Sequence, residues 1–305
     1  MRIWYASVAI LAAILNITIG STRANGQVKL TEAETSAATI DGDYRVTSNI
    51  VYLTANNYED KLDVYQPVGE GVHPTLIYIY GGGWVGWNKE NSVLQILPFL
   101  EKRWAVVSID YRKAKVSPAP AAVEDCRCAL RWVYEHAKEY NFDPKRIVVM
   151  GTSSGGHLAL MTGMLTPAAG LDRQCPGKEE PKVAAILDWF GVTDVNDLLD
   201  GPNMREFAVT WLGGQPDREE MAKRVSPLTY VRPNLPPIFM VHGDADPAVP
   251  YSHSVRLHDA LDKAGVPNEF IRIPGGKHGH FSHAETEMAY SHVWAFLAKY
   301  LPKSP

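Results

Sequence analysis

The chain has 305 residues, of which 46% are hydrophobic and 21% are charged. This composition supplies a sizeable core and excludes the disordered and fibrous classes, and the length suits one large α/β domain or two smaller ones. The net charge of −4 provides no basic surface for a phosphate backbone, so nucleic acid is not an expected partner.

The N-terminal residues have the pattern of a secretory signal. Arg2 is followed by an uncharged stretch from Ile3 to Thr22, and small residues stand at Thr22 and Ala24. A positive charge, a short apolar segment and small residues are typical of a signal peptide, here residues 1–24, with an uncleaved membrane anchor as the alternative. We expect a secreted or periplasmic protein with no stable membrane association after removal of the signal.

Strand-like runs begin after a polar leader over residues 25–45. The early runs, at 50–54, "KLDVY" and "TLIYIY", are joined by short links, which predicts an antiparallel edge. Later strands alternate with helical patterns, which predicts a mostly parallel sheet with helices on both faces. The later strands are "AVVSID", "RIVVM", "VAAILDWF", "PPIFMVHG" and "NEFIRI", and the helices span about 89–102, 119–140, 154–165, 252–264 and 283–300.

One stretch departs from this alternation. Residues 192–235 are longer and more irregular than a crossover connection needs. We interpret them as an insertion over the carboxyl edge of the sheet, where ligands bind in such folds. Residues 46–305 are therefore predicted to form a single domain that carries this insertion.

The three cysteines leave two readings open. Cys126 and Cys128 lie two apart on a predicted helix, so their side chains point in different directions and cannot bond to each other. Cys126 falls on the apolar face and Cys128 on the polar one, which makes Cys128 the better partner for Cys175 in a loop rich in proline and glycine. Three free thiols are the alternative.

Strand "RIVVM" runs directly into "GTSSGGH", which contains Gly151, Ser153 and Gly155 in a G-x-S-x-G pattern. Between a strand and a helix, this pattern indicates a sharp turn that holds a nucleophilic serine above the sheet, because side chains at the glycine positions would collide with the turn. The alternative is a helix start rich in glycine and serine that binds phosphate or nothing.

A nucleophilic serine needs a base and an orienting acid, and both residue types follow the last two strands in the chain order Ser, Asp, His. Ser282 and Glu285 form an S-x-x-E capping box, which places His283 in the first turn of the last helix. A metal site of three histidines has no carboxylate or cysteine at ligand spacing, so no metal is expected. The candidates are Asp244 and Asp246 as acid, and His278, His280 and His283 as base.

Three consecutive glycines in "IYIYGGGWVGWN" exceed what a tight turn needs. The alternative to a turn is a loop whose backbone N–H groups approach a ligand closely. The flanking Trp84 and Trp87 are candidates for the walls of a substrate pocket, with packing in the core as the alternative.

Taken together, "KLDVYQP", "YGGGW", "DYR", "AAVEDCRCALRW", "GTSSGGHLA", "HGDADPAVP" and "GGKHGHF" resemble the α/β-hydrolase superfamily, and within it the small esterases of the BD-FAE type, related to hormone-sensitive-lipase-like acetyl esterases. The resemblance implies Ser153 as nucleophile, Asp246 as acid and His278 as base. It also implies an oxyanion hole made by the backbone amides of Gly82, Gly83 and Ser154.

The chain departs from the family pattern at Tyr80, where a histidine usually precedes the glycines, and at Thr152 and Ser154. The departure at Tyr80 leaves the anchoring of the glycine loop open.

The function implied is that of a serine carboxylic-ester hydrolase, which acts through an acyl-enzyme and needs no cofactor. Its expected substrates are short-chain acyl, aryl or acetyl esters, as small molecules or linked to a polysaccharide. One alternative is an amide or peptide hydrolase, because "HGDADPAVP" with G-x-S-x-G-G also resembles the prolyl-oligopeptidase group. Another is a non-catalytic binding protein on the same fold.

We predict that the mature chain begins within a few residues of Ala24, because the apolar segment is short and ends in small residues. N-terminal sequencing of exported protein tests this. A chain that still begins at Met1 in the membrane fraction would indicate the anchor instead.

Overall fold

Eight strands form one mixed sheet in the computed structural model, which describes residues 31–175 and 180–303. Their order is β1-β2-β4-β3-β5-β6-β7-β8, with β1–β2 and β2–β4 antiparallel and all other pairs parallel. The strands are β1 (Tyr44–Ala55), β2 (Tyr58–Pro67), β3 (His73–Ile79), β4 (Ala105–Ile109), β5 (Phe142–Thr152), β6 (Ala185–Trp189), β7 (Ile238–Gly243) and β8 (Asn268–Ile273).

The predicted sheet is confirmed, with one correction to its edge. The antiparallel edge consists of β1 and β2 alone, and β3 lies inside the parallel part between β4 and β5. The reason is burial, since Leu76 to Ile79 of β3 are all inaccessible to solvent, as suits a strand covered on both faces.

Helices cover both faces of the sheet, as two residues of β6 that point to opposite faces demonstrate. Ile186 lies against α4, where it would contact any side chain placed at Gly163, whereas the ring of Trp189 lies 5.2 Å from that of Tyr290 in α8. The helices are α1 (Glu32–Asp43), α2 (Leu97–Leu100), α3 (Ala121–Glu135), α4 (Ser154–Met164), α5 (Glu206–Leu212), α6 (Arg218–Arg224), α7 (Ser252–Lys263) and α8 (His283–Tyr300).

The N-terminal predictions fall partly outside the described residues. The predicted signal peptide and the start of the polar leader lie there, while α1 and the first residues of β1 occupy the rest of the leader. Within the described part of the chain, no helix combines the length and the apolar character needed to cross a bilayer.

Residues 192–235 connect β6 to β7 and contain α5, α6 and three short 3₁₀ helices. Trp211 of α5 stacks on Trp84 with 4.2 Å between ring centroids. The predicted insertion therefore packs against the loop that follows the three glycines.

Cys128 and Cys175 form a disulfide, and Cys126 is a buried free thiol. Cys126 belongs to the main core, while Cys128 packs with Leu53 and Ala55 in a separate small cluster. The polar face of α3 is thus covered locally by the end of β1, which the helical pattern alone does not indicate.

We predict that Cys128→Ser lowers the free energy of unfolding by about 4 kcal/mol, because the bridge closes a loop of 47 residues. The matched control is the Cys128→Ser/Cys175→Ser double variant, which should be no less stable and insensitive to dithiothreitol. A wild-type unfolding midpoint that dithiothreitol leaves unchanged would contradict the prediction.

Candidate active site

Ser153 occupies the sharp turn between β5 and α4, with φ 57° and ψ −123°. A positive φ is strained for a residue with a side chain, and the strain is held by its surroundings. A Cβ at Gly151 would overlap the carbonyl oxygen of Gly155, and one at Gly155 would overlap that of Ile79. The two glycines of the motif are therefore required by the close approach of backbone to backbone.

Three side chains from different loops meet at this turn. His278 Nε2 lies 2.8 Å from Ser153 Oγ, and His278 Nδ1 lies 2.7 Å from Asp246 Oδ2. Because the carboxylate only accepts, Nδ1 carries the proton and Nε2 accepts the hydroxyl of Ser153. The structure thus brings together the three residues that the family resemblance implies.

Asp246 is held by four donors. The backbone N–H groups of Ala248 and Val249 donate to Oδ1 at 2.7 and 3.0 Å, and His242 Nε2 lies 3.2 Å from Oδ2, beside His278. Burial would raise the pKa of Asp246, but hydrogen bonds from His242 and His278 outweigh it and hold the pKa well below its ordinary value. The acid is therefore ionised when the imidazole needs a counter-charge.

The competing residues have other partners. Asp244 pairs with Arg272 at 2.7 Å and accepts the backbone N–H of Gly275, which leaves Asp246 as the acid that reaches the imidazole. His283 begins α8 as predicted, exposed and 3.2 Å from Glu287. The three histidines do not converge, and the described residues contain no cluster suited to a metal ion.

His280 lies at the rim of the cavity that contains Ser153, two residues beyond His278. The His280 N–H donates to the Lys277 carbonyl at 3.3 Å, so this segment forms a tight turn. The turn, with Gly279 at φ 66°, separates the two rings and leaves His280 exposed.

The glycine loop, residues 81–83, lies opposite Ser153 on the same cavity. Gly82 and Gly83 have φ 117° and 63°, and a Cβ on Gly83 would lie 2.8 Å from Phe207. Among the described residues, the backbone N–H groups of Gly82, Gly83 and Ser154 donate to no other group. They are free to donate to a ligand.

Stacked aromatic rings anchor this loop in place of the usual histidine. Tyr80 is fully buried and stacks on Tyr111 at 4.6 Å, and the Tyr111 hydroxyl donates to the Tyr80 carbonyl at 3.2 Å. The start of the glycine loop is therefore anchored by the stacking of Tyr80 on Tyr111.

The two tryptophans have different positions. Trp84 is fully buried, stacks on Trp211 and does not border the cavity, so its prediction as a pocket wall is wrong. Trp87 is 59% exposed and lines the cavity at its mouth.

The cavity has two adjoining lobes. The main lobe, about 430 Å³, contains Ser153, His278, the glycine loop and Trp87. A side lobe of about 190 Å³ adjoins it across Gln95, Thr152, Phe190 and Gly279. Aromatic side chains dominate the wall of the side lobe: Trp189, Phe190, Phe281 and Tyr290.

The insertion, residues 192–235, lines the cavity and also forms hydrogen bonds to the loop that carries Asp246. Phe207 of α5 lines the main lobe beside the glycine loop. Arg205, at the start of α5, donates to the carbonyls of Ala248 and Pro247 at 2.8 and 3.1 Å. The segment therefore contacts the loop that carries Asp246 as well as the glycine loop.

A buried carboxyl lies beneath the serine turn. Asp188 Oδ1 accepts the Gly191 N–H at 2.9 Å and fills the space where Gly156 would carry a side chain. Burial raises the pKa of Asp188 to about 7. A side chain at position 156 would therefore collide with Asp188, which accounts for the glycine there. Asp188 is not one of the three hydrogen-bonded residues Ser153, His278 and Asp246.

A strained serine between a parallel strand and a helix, backed by histidine and aspartate from later loops, defines the α/β-hydrolase fold. The profile of the BD-FAE family matches residues 62–261. The chain belongs to this family.

Curated proteins that are similar to this chain are named as esterases. The esterase LipQ of Mycobacterium tuberculosis is 31% identical over 67% of this chain, and the chain spans 50% of its length. The carboxylesterase NlhH of the same organism is 28% identical over 72% of this chain and 70% of its own. The chain spans about half the length of the first of these relatives.

Solved structures share the fold. A carbohydrate esterase from gut microbiota superposes with a TM-score of 0.67 at 28% identity, over 84% of this chain and 98% of its own. The propionate-bound esterase Est2 of Thermogutta terrifontis gives 0.68 at 27% identity, over 87% and 98%.

Several residues of the site are absent from the sequence predictions. Phe190 is the last residue of the predicted strand "VAAILDWF", at its carboxyl end, a position that could have marked it. Gln95, Phe207 and Arg205 carry no comparable signal, because they lie in a 3₁₀ helix and an irregular insertion.

Proposed function

We propose that this protein is a serine carboxylic-ester hydrolase that acts through an acyl-enzyme. The observation that carries the proposal is the hydrogen-bonded chain Ser153–His278–Asp246, which faces three free backbone N–H groups across one cavity. Membership of an esterase-containing family supports the reaction class.

In the proposed reaction, Ser153 Oγ attacks the ester carbonyl carbon as its proton passes to His278 Nε2. The carbonyl oxygen becomes an oxyanion that accepts hydrogen bonds from the amides of Gly82, Gly83 and Ser154. Asp246 stabilises the imidazolium through Nδ1. Collapse of the intermediate expels the alcohol, which takes the proton from His278 Nε2.

Water then completes the cycle. His278 removes a proton from a water molecule, whose oxygen attacks the acyl carbon, and the second intermediate releases the acid and restores Ser153. Each backbone donor in such a hole contributes about 3 to 4 kcal/mol to the transition state.

We further propose that the side lobe binds a short acyl group and the main lobe the alcohol. An alcohol attached to a polymer needs an outlet to solvent, and exposed Trp87 and His280 border only the main lobe. The small side lobe, walled by aromatic rings, suits a compact acyl group. Short acyl esters of small or polysaccharide-linked alcohols are the proposed substrates.

Export is part of the proposal. The Cys128–Cys175 disulfide supports it, because such bonds persist in oxidising compartments. The apolar N-terminal stretch supports it independently.

We predict that Ser153→Ala lowers kcat by at least about 10⁴-fold, and that His278→Ala does so on the same scale. The double variant should be little worse, because the two residues act as one unit. Steady-state kinetics on a nitrophenyl acetate series tests this.

His280→Ala is the matched control for the base, since it removes a nearby imidazole without a contact to Ser153. Its kcat/KM should stay within about threefold of wild type, because no proton transfer depends on it. If His280→Ala is inactive and His278→Ala active, the base has been wrongly assigned; an active Ser153→Ala would refute the proposed mechanism.

We predict that Thr286→Phe fills the side lobe and lowers the butyryl-to-acetyl ratio of kcat/KM by about 10-fold or more, since each pocket methylene contributes about 1 to 3 kcal/mol. Met288→Phe, on the exposed side of the same helix, is the control and should leave the ratio unchanged. A ratio that Thr286→Phe does not alter would refute the acyl role of this lobe.

A further inference from the structure

His157 connects the nucleophile helix to the glycine loop and to the insertion. It is fully buried in α4, one turn beyond Ser153, and its backbone N–H donates to the Ser153 carbonyl at 3.0 Å. Its Nδ1 lies 3.2 Å from Trp84 Nε1, and its Nε2 lies 2.6 Å from the carbonyl oxygen of Val225. One imidazole thus bridges two separate segments.

The two partners determine the tautomer of His157. The indole N–H of Trp84 can only donate, so Nδ1 must accept, and the Val225 carbonyl can only accept, so Nε2 must carry the proton. Burial lowers the pKa of His157 to about 4, so the ring stays neutral near neutral pH. If the ring were protonated, Nδ1 would also carry a proton. Two donors, Nδ1–H and the indole N–H of Trp84, would then face each other.

Trp84 directly follows the glycines and is held from several sides. Its ring stacks on Trp211 and meets the His157 ring edge-on at 4.9 Å. Its carbonyl accepts the Ala114 N–H at 2.9 Å. The contact with His157 is the link from this tryptophan to the helix that begins with Ser154.

We propose that His157 is a positioning residue that sets the distance between the two halves of the oxyanion hole. The amides of Gly82 and Gly83 precede Trp84 on one side, and the amide of Ser154 opens the helix of His157 on the other. This inference rests on the proposed function, because the oxyanion hole has a role only if Ser153 performs acyl transfer.

Small errors in this distance have large effects. An oxyanion donor acts over 2.7–3.1 Å, and removal of one donor lowers kcat by about 10²–10³-fold. A shift of the glycine loop by a fraction of an ångström would weaken two donors without changing Ser153, His278 or Asp246.

A matched pair of amide variants tests the proposal. His157→Asn places its side-chain oxygen near the Nδ1 position and retains the acceptor for Trp84. His157→Gln places its amide near the Nε2 position and retains only the donor to Val225. We expect His157→Asn to keep kcat within about fivefold and His157→Gln to lose about 10- to 100-fold.

Trp84→Phe removes the indole N–H from the other side and should lose kcat to the same degree as His157→Gln. The double variant of these two should be no worse than either alone, because both remove one contact. His258→Gln, the same substitution on the partly exposed α7, is the control and should match wild type.

The readout is kcat per active site, with sites counted by complete reaction with an organophosphate, so that misfolded protein does not contribute. The inhibition constant of a trifluoromethyl ketone is measured in parallel. Ser153 Oγ adds to the ketone carbon, the serine proton passes to His278, and the ketone oxygen becomes the anion that the hole binds. The inhibition constant should rise by the factor by which kcat/KM falls.

A purely structural role would lower the site count or the melting temperature and leave kcat per site unchanged. The proposal is overturned if His157→Gln and Trp84→Phe both keep kcat per site within about threefold, or if Asn and Gln variants lose it equally. Failure of the proposed function is a different result, namely an active Ser153→Ala.

Discussion

The site depends on three backbone N–H groups that have no partner among the residues the structure describes. Buried or half-buried amides are normally paired, and an unpaired amide is costly unless a ligand completes it. Gly82, Gly83 and Ser154 are held in this state by contacts made elsewhere: the stack of Tyr80 on Tyr111, the packing of Trp84, and the strained turn at Ser153. In the proposed function, donors preorganised in this way need no rearrangement as negative charge develops on the substrate.

The proposed acid, Asp246, is likewise held in place by contacts with several other residues. Asp246 accepts two backbone N–H groups and two imidazoles, so its charge is satisfied within the protein and its orientation toward His278 is fixed. Arg205 ties the carbonyls of the same loop to the insertion. The insertion therefore contacts the loop that carries Asp246 and lines the cavity through Phe207.

Sequence patterns were sufficient for the strands and for the serine turn, because both depend on local rules, but not for the place of β3, which lies inside the parallel part and not at the predicted antiparallel edge. Continuous apolar runs such as Leu76 to Ile79 indicate buried strands, and G-x-S-x-G between a strand and a helix indicates the strained turn. The choice of Asp246 over Asp244, and of His278 over His280, came from family resemblance. Spacing could not make that choice, because it depends on a turn at residues 277–280 and on an ion pair with Arg272.

Other features depend on contacts distant in sequence. Trp84 and Trp87 look alike in the sequence, yet one stacks on Trp211 and the other is exposed at the cavity mouth. Gln95 is held between the lobes by two hydrogen bonds. Its side-chain oxygen accepts the Tyr78 hydroxyl, and its backbone carbonyl accepts the Tyr290 hydroxyl. No periodicity or motif encodes such pairings.

The central claim is that the free amides of the glycine loop and of Ser154 bind the oxyanion formed when Ser153 is acylated. A crystal structure of the enzyme after reaction with an alkyl phosphonate tests it most directly. We expect phosphorus bonded to Ser153 Oγ and the phosphoryl oxygen within about 3.1 Å of the amide nitrogens of Gly82, Gly83 and Ser154. Phosphorus on another residue, or a phosphoryl oxygen turned away from these amides, would contradict the account.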